Sequence, residues 1–166
     1  MFEASKIPAD NKTDFYKELN VMLEGLIGDE SDWLANAANA AALLYQMLPD
    51  INWAGFYLMK KGQLVLGPFQ GKPACVCIPL GKGVCGTAAS SGEIQLVEDV
   101  EQFPGHIACD AASRSEIVLP LFQNGRLVGV LDIDSPIKGR FDQQDAAGLS
   151  GFAGILNQHI EWPDFG

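Results

Sequence analysis

The sequence is poor in positive charge and has no long apolar run. Its 166 residues include 11 Lys or Arg against 21 Asp or Glu, so the formal net charge is −10. Nucleic acids and anionic lipid surfaces require basic patches, which this balance does not favour. No segment has the roughly 18 uninterrupted apolar residues of a spanning helix, and the N-terminal stretch up to Asn20 has no basic region followed by an apolar one. We therefore expect a cytoplasmic protein that binds neither nucleic acid nor membranes.

Cysteine is absent from both flanks of the chain. Cys75, Cys77, Cys85 and Cys109 all lie between positions 75 and 109. Permanent disulfides are uncommon in a reducing cytosol, so clustered thiols indicate catalysis, redox exchange or metal binding. Zinc sites usually pair their cysteines as CxxC, and the CxC spacing of Cys75 and Cys77 matches less well. A zinc site built from these thiols or His106 is therefore the least favoured interpretation, and no resident metal is expected.

Composition and hydrophobic periodicity predict a single domain over residues 1–166. A chain with 48% hydrophobic and 19% charged residues can bury one ordinary core. Helical spacing predicts two N-terminal helices within about 10–48, one from Asp10 to about Leu26 and one from about Asp29 to Leu48. A C-terminal helix is predicted over about 142–161.

The catalytic core of about 50–135 is expected to contain two hairpins, one turning at Lys61-Gly62 and one at Asn124-Gly125. Short strands are predicted around Cys75 to Ile78 and near Gln95 to Val97, with a short helix in GVCGTAASSG. The order ααβββαβ(loop)ββα predicts an α+β fold. Its central antiparallel sheet would carry the N- and C-terminal helices on one face.

The second strand of the second hairpin carries an unusual acid pair. Asp132 and Asp134 alternate with Val128 and Val130. A solvated strand face would be polar throughout, so an acid pair below an apolar stripe favours a pocket.

The register of that hairpin decides whether Glu116 joins the pair. A strict two-residue turn at Asn124-Gly125 would place Glu116 opposite Ile133, on the other face. A three-residue loop over 123–125 with a bulge would place Glu116 opposite Asp132. We predict the second register, or an additional bulge with the same result, because only then do the carboxyl groups converge.

Three runs together carry a family resemblance: GPFQGKPACVCIPLGKGVCGTA, FPGHIACDAASRSEIV and GVLDIDS. They resemble the signature of the free methionine-(R)-sulfoxide reductases, which are built on the GAF-type fold. The resemblance covers nearly the whole chain, including NWAGFYL near position 55. It implies a thiol enzyme, without a cofactor, that reduces free L-methionine (R)-S-oxide and is recycled by thioredoxin. The sequence leaves a homodimer open.

The resemblance also implies roles for the thiols. Cys109 in IACD matches the family's nucleophile, and Cys75 in ACV matches the cysteine that resolves it. Cys85 in GVCG matches an auxiliary or alternative resolving thiol, although its place at a predicted helix N-terminus, where the dipole lowers thiol pKa, would by itself favour it as nucleophile. The family commonly has Arg where this chain has Cys77, which is either a small buried hydrophobe or a further redox thiol.

Matched acids and aromatic residues complete the expected site. Glu116, Asp132 and Asp134 match the acids that line the substrate site, and Trp53 and Tyr57 match its aromatic wall. Sulfoxide reduction requires a thiolate to attack sulfur while an acid protonates the departing oxygen, and crowded carboxyl groups can keep one proton for this step. The alternative is a small-molecule sensor without catalysis, because GAF-type folds also serve that purpose and fold alone does not settle function.

Overall fold

One six-stranded sheet organises the molecule, seen in a computed structural model that describes residues 7–166. Residues 1–6, at the start of the N-terminal stretch considered above, lie outside the described residues. The predicted element order is confirmed. In chain order the elements are α1 (Lys12–Ile27), α2 (Trp33–Met47), β1 (Trp53–Lys60), β2 (Gln63–Gly71), β3 (Cys77–Pro79), α3 (Gly83–Ser91), β4 (Gln95–Val97), a 3-10 turn (Val100–Gln102), β5 (Ser115–Gln123), β6 (Arg126–Ser135) and α4 (Gln143–His159).

The sheet has the strand order β3-β2-β1-β6-β5-β4, and every neighbouring pair is antiparallel. Helices α2 and α4 pack on one face of the sheet, α1 packs against these two helices, and α3 covers part of the other face. This is the α+β arrangement predicted from the sequence. Within residues 7–166, no helix combines the length and apolar character needed to cross a membrane.

Local capping explains where the helices begin. The second helix starts at Trp33 rather than near Asp29, because the Asp32 side chain accepts the N–H of Ala35 as its N-cap. The Glu30 side chain accepts the N–H groups of Ser31 and Asp32, which favours a turn before that cap. In α4, Asp142 and Asp145 form a reciprocal capping box.

Both hairpin turns lie at the predicted dipeptides. Lys61 and Gly62 have φ of 49° and 78°, and Asn124 and Gly125 have φ of 53° and 75°. Two successive residues with positive φ are typical of the type I′ turn, whose twist matches that of the flanking strands. Glycine adopts this conformation without steric cost, and asparagine tolerates it better than most residues.

The predicted three-residue loop of the second hairpin is wrong. Gln123 pairs directly with Arg126, so the turn contains two residues. The register shifts further along, because Phe122 pairs with Leu127 whereas Leu121 pairs with Gly129. Val128 is therefore the extra residue of a bulge. This bulge returns Glu116 to the sheet face of Asp132, which was the second form of the prediction.

The bulge also makes two expectations about β6, the strand of Asp132 and Asp134, wrong in detail. Glu116 lies opposite Asp134 rather than opposite Asp132, whose partner is Val118. Val128 belongs to the helix-side core, while Val130 faces the side of Asp132. The two valines therefore do not share a face, since the extra residue reverses the alternation between them.

Candidate active site

A pocket lies on the sheet face opposite the three large helices. Strands β1, β5 and β6, the first turn of α3 and the loop over 106–113 surround it. The free space inside is about 40 Å³, room for only a few water molecules. Seven of the predicted site residues line it: Trp53, Tyr57, Cys85, Cys109, Glu116, Asp132 and Asp134. Cys75 joins them through its bond to Cys109.

The three carboxyl groups converge and are poorly solvated. Glu116 and Asp132 are only 6% and 5% exposed. Burial, followed by the charges of Asp132 and Asp134, raises the pKa of Glu116 well above its usual range. Burial raises the pKa of Asp132 to about 6, and burial with the charge of Asp132 raises the pKa of Asp134 as well. The cluster therefore retains a proton near neutral pH.

Cys85 is buried beside these acids. Its thiol lies 3.9 Å from Glu116 Oε1, to which it donates a weak hydrogen bond. Cys85 lies in the first turn of α3 as expected, but its pKa is raised, contrary to what the helix N-terminus alone implies. Burial and the charges of Asp132 and Glu116 disfavour the thiolate more than the helix dipole favours it.

Cys75 and Cys109 form a disulfide with Cα atoms 5.6 Å apart. This is the pair that the family resemblance implies. Cys109 is exposed and Cys75 is half-buried, so the disulfide is at the mouth of the pocket rather than at its floor. Its position leaves the bond open to an external thiol.

Cys77 takes no part in this arrangement. Its thiol is free and exposed, and it lies on the edge strand β3. The neighbouring Ile78 lines the pocket, so Cys77 is directed to the other face of that strand. The strand begins at Cys77 rather than at Cys75, which precedes it in irregular chain. The expectation of a buried hydrophobe at Cys77 is wrong.

Trp53 and Tyr57 line the pocket and also hold the neighbouring chain segment in place. The Trp53 ring stacks on Tyr57 and Phe69, with centroid distances of 5.9 and 5.2 Å. The indole N–H donates to the Lys72 carbonyl at 3.2 Å, and the Tyr57 hydroxyl donates to the Cys75 carbonyl at 3.0 Å. These bonds position the segment that carries Cys75.

Polar contacts of Asp110 that were not predicted from the sequence support the loop that carries Cys109. Asp110 accepts the N–H of Ala112 at 2.9 Å and the side-chain amide of Asn52 at 3.1 Å. Lys72 Nζ lies 3.5 Å from Asp110 Oδ1, the oxygen that accepts the Ala112 N–H, and the Asn52 amide also donates to the Ser113 hydroxyl oxygen. Asp residues often accept the N–H two residues later and so favour a turn, which means that Asp110 itself was the signal available in the sequence.

His106 and Arg114 are close to the site but differ in role. His106 Nε2 lies 3.8 Å from Glu116 Oε2. Burial lowers the pKa of His106 while it raises the pKa of Glu116, so both shifts disfavour an ion pair at this contact. The Arg114 guanidinium donates to the carbonyls of Ala111 and Ser113 and braces the loop instead of stabilising a thiolate.

Possible metal ligands form one compact group among residues 7–166. Cys85, Glu116 and Asp132 each offer an atom within 4.8 Å of the other two. This is not the zinc site weighed from the sequence, because Cys75 and Cys109 are bonded to each other and Cys77 faces away.

The chain is similar to proteins of known family and structure. The GAF domain family matches residues 38–161. A Bacillus subtilis protein named YtsP is 58% identical over 96% of this chain and 99% of its own length. The free methionine-R-sulfoxide reductase of Escherichia coli is 54% identical over 93% of this chain and 94% of its own. The X-ray structure of the free methionine-R-sulfoxide reductase from Neisseria meningitidis in complex with its substrate superposes with a TM-score of 0.91, at 46% identity over 95% of each chain.

Proposed function

The chain belongs to the GAF domain family and, within it, to the free methionine-R-sulfoxide reductases, and from this premise we propose that it reduces free L-methionine (R)-S-oxide to L-methionine. One observation carries the proposal. The Cys75–Cys109 disulfide closes a pocket whose buried carboxyl groups hold a proton near neutral pH. A sulfoxide reductase needs this combination, whereas a sensor has no use for it.

In the first step, the Cys109 thiolate attacks the sulfur of the bound sulfoxide. The departing oxygen takes a proton from the Glu116–Asp132 pair, whose raised pKa values suit a general acid at neutral pH. This attack forms a bond between the Cys109 sulfur and the substrate sulfur. That bond then breaks as the protonated oxygen moves from the substrate sulfur to Cys109, which leaves a Cys109 sulfenic acid and methionine. One thiol is oxidised as one sulfoxide is reduced.

In the second step, the Cys75 thiol condenses with the sulfenic acid. A sulfur–sulfur bond forms, water leaves, and the chain reaches the disulfide form described above. Thioredoxin, as a dithiol reductant, then attacks the exposed disulfide and restores both thiols while becoming oxidised itself. Cys85 stays in the pocket beside the acids as an auxiliary thiol. We place this cycle in the cytoplasm, where such reductants are abundant.

Substrate recognition follows from the lining of the pocket. Trp53 and Tyr57 contact the methylthio end, with favourable sulfur–ring interactions. An ionised carboxylate of the cluster holds the substrate ammonium, with Asp134 the most open of the three acids. The first turn of α3 has no side-chain cap, so its free N–H groups face the substrate carboxylate. A peptide lacks both terminal charges and fits poorly.

The decisive experiment separates attack from recycling. In a single-turnover assay with the reduced protein, Cys109→Ser should release no methionine, whereas Cys75→Ser should release about one methionine per chain and accumulate a sulfenic acid that dimedone traps. Cys77→Ser is the matched control and should turn over normally, because Cys77 lies outside the pocket. Normal multiple turnover by Cys109→Ser would refute the mechanism.

A substrate panel tests the specificity. Free methionine-R-sulfoxide should be reduced, while the S epimer and peptidyl methionine sulfoxide should be very poor substrates, because the closed pocket pairs with both charged ends of a free amino acid. Equal rates on free and peptide-bound sulfoxide would contradict the assigned role of the acids. Binding of the free sulfoxide without any methionine release by the unmodified protein would favour the sensor alternative.

A further inference from the structure

Three buried side chains of different chemistry meet at one point of the pocket floor. Cys85 comes from the first turn of α3, Glu116 from β5 and Asp132 from β6. One ligand atom of each lies within 4.8 Å of the other two, and all three side chains are buried. The Cys75–Cys109 disulfide does not involve this group, so its thiol stays free in the oxidised protein.

Within residues 7–166, one oxygen atom of this group lacks a hydrogen-bond partner. Asp132 Oδ1 is fully buried and has no hydrogen-bond partner among the described residues. A buried carboxylate oxygen without a partner is costly, because it loses hydration without compensation. Oxygens of Glu116 and Asp132 and the Cys85 sulfur are all electron-pair donors, so a cation placed between them satisfies every member at once.

The spacing suits a small ion with mixed ligands. Tetrahedral Zn²⁺ with Zn–S of about 2.3 Å and Zn–O of about 2.1 Å sets the sulfur and oxygen atoms about 3.6 Å apart. The Cys85 Sγ to Glu116 Oε1 distance is 3.9 Å. Thiolate ligation selects Zn²⁺ over Mg²⁺ and Ca²⁺, which prefer all-oxygen sites.

We propose that Cys85, Glu116 and Asp132 form a binding site for one Zn²⁺ ion, with water in the fourth position. As the ion binds, the Cys85 thiol and any protonated carboxyl group release their protons to solvent, and no electrons are transferred. The ion lies within the carboxyl cluster that holds the substrate ammonium, so its positive charge opposes binding of that ammonium, a consequence that rests on the proposed function. Zn²⁺ is then a reversible competitive inhibitor.

Binding is best measured on the disulfide form, since Cys75 and Cys109 cannot ligate there. Zn²⁺ titrated against a chromophoric chelator should bind with a stoichiometry of one per chain. Cys85→Ser and Asp132→Asn, both nearly isosteric, should each weaken binding by more than about tenfold. The matched control Cys77→Ser removes the other free thiol and should bind Zn²⁺ as the unmodified protein does.

Co²⁺ gives a second readout that does not depend on activity. A sulfur-to-cobalt charge-transfer band should appear in the unmodified protein and in Cys77→Ser, and should be absent in Cys85→Ser. Absence of stoichiometric binding, or binding lost in Cys77→Ser and kept in Cys85→Ser, would overturn the site. Because no substrate is present, these outcomes do not depend on whether the chain reduces methionine sulfoxide. In the reduced protein, Zn²⁺ should raise the apparent KM for free methionine-R-sulfoxide without lowering kcat, and an effect on kcat alone would refute the competition.

Discussion

Strands β1, β5 and β6 present different chemistry on the two faces of the sheet. Towards α1, α2 and α4 they contribute side chains such as Phe56, Ile117 and Leu131, all fully buried in an apolar core. Towards the pocket, alternate residues of the same strands include Glu116 and Asp132, which are buried without ordinary solvation. Burial stabilises the fold on the first face, because apolar surface leaves water. The second face also buries apolar side chains such as Tyr57, Val118 and Val130, but the burial of its carboxyl groups opposes folding and prepares a proton donor.

The helix side of the sheet therefore supplies most of the stability, and the pocket side supplies the chemistry. A change on the helix side should lower the free energy of unfolding and leave the chemistry of folded molecules intact. A change at a buried carboxyl group of the pocket should do the reverse, and should raise stability while it removes activity. Four substitutions test this division.

The largest effect is expected from Phe152→Ala. Phe152 is fully buried where α4 meets the sheet, so truncation leaves a cavity and should cost about 3–5 kcal/mol of unfolding free energy. Urea denaturation measures the loss, and kcat measured well below the transition should stay near that of the unmodified protein. Phe122→Ala, at a ring that is 42% exposed, is the control and should cost much less. A large kcat loss at unchanged stability would break the division.

Gly129→Ala is expected to cause a smaller loss of stability and to disturb both faces of the sheet. An added Cβ would lie 2.3 Å from the Tyr57 carbonyl oxygen and 3.1 Å from Leu58 Cα, so β6 must move away from β1. We expect a cost of about 1–3 kcal/mol together with reduced kcat/KM, because β1 and β6 carry both core and pocket residues. Gly154→Ala has open space in α4 and should be stabilising by up to about 1 kcal/mol. Equal effects of the two substitutions would refute this account.

Asp132→Asn should raise stability at neutral pH while abolishing normal turnover. Its folded-state pKa of about 6 lies above its unfolded value of about 3.9. As pH rises between these values, the unfolded chain loses this proton first, so the unmodified protein becomes less stable. Asparagine avoids this loss, which predicts a gain of about 1–3 kcal/mol at pH 8 and little difference at pH 4. Urea midpoints at both pH values provide the measurement, and a gain that persists unchanged at pH 4 would exclude the titration as its cause.

The smallest effect is expected from Cys77→Ser. The residue is exposed on the edge strand and belongs to neither face's buried cluster. Stability should change by less than about 0.5 kcal/mol, and multiple turnover should be preserved. Loss of recycling with single turnover intact would instead place Cys77 in thiol exchange.

Much of this division was predictable from local patterns. The hairpin turns were marked by Lys61-Gly62 and Asn124-Gly125, because few residue pairs tolerate two successive positive φ angles. The cysteine cluster and the acid pair indicated a thiol site, and the family resemblance assigned the pair Cys75 and Cys109. The polar contacts of Asp110 with Asn52 and Lys72 were not predicted, because these partners come from distant segments of the chain.

The sequence by itself determined the order of the elements and the positions of the hairpin turns, because these depend on neighbours a few positions apart. Only the tertiary structure decided the bulge at Val128, which sets Glu116 opposite Asp134. Tertiary burial likewise reversed the expected shift at Cys85, whose pKa is raised although the residue lies in the first turn of a helix. Register and desolvation depend on which distant segments lie against a residue, and no local pattern specifies that.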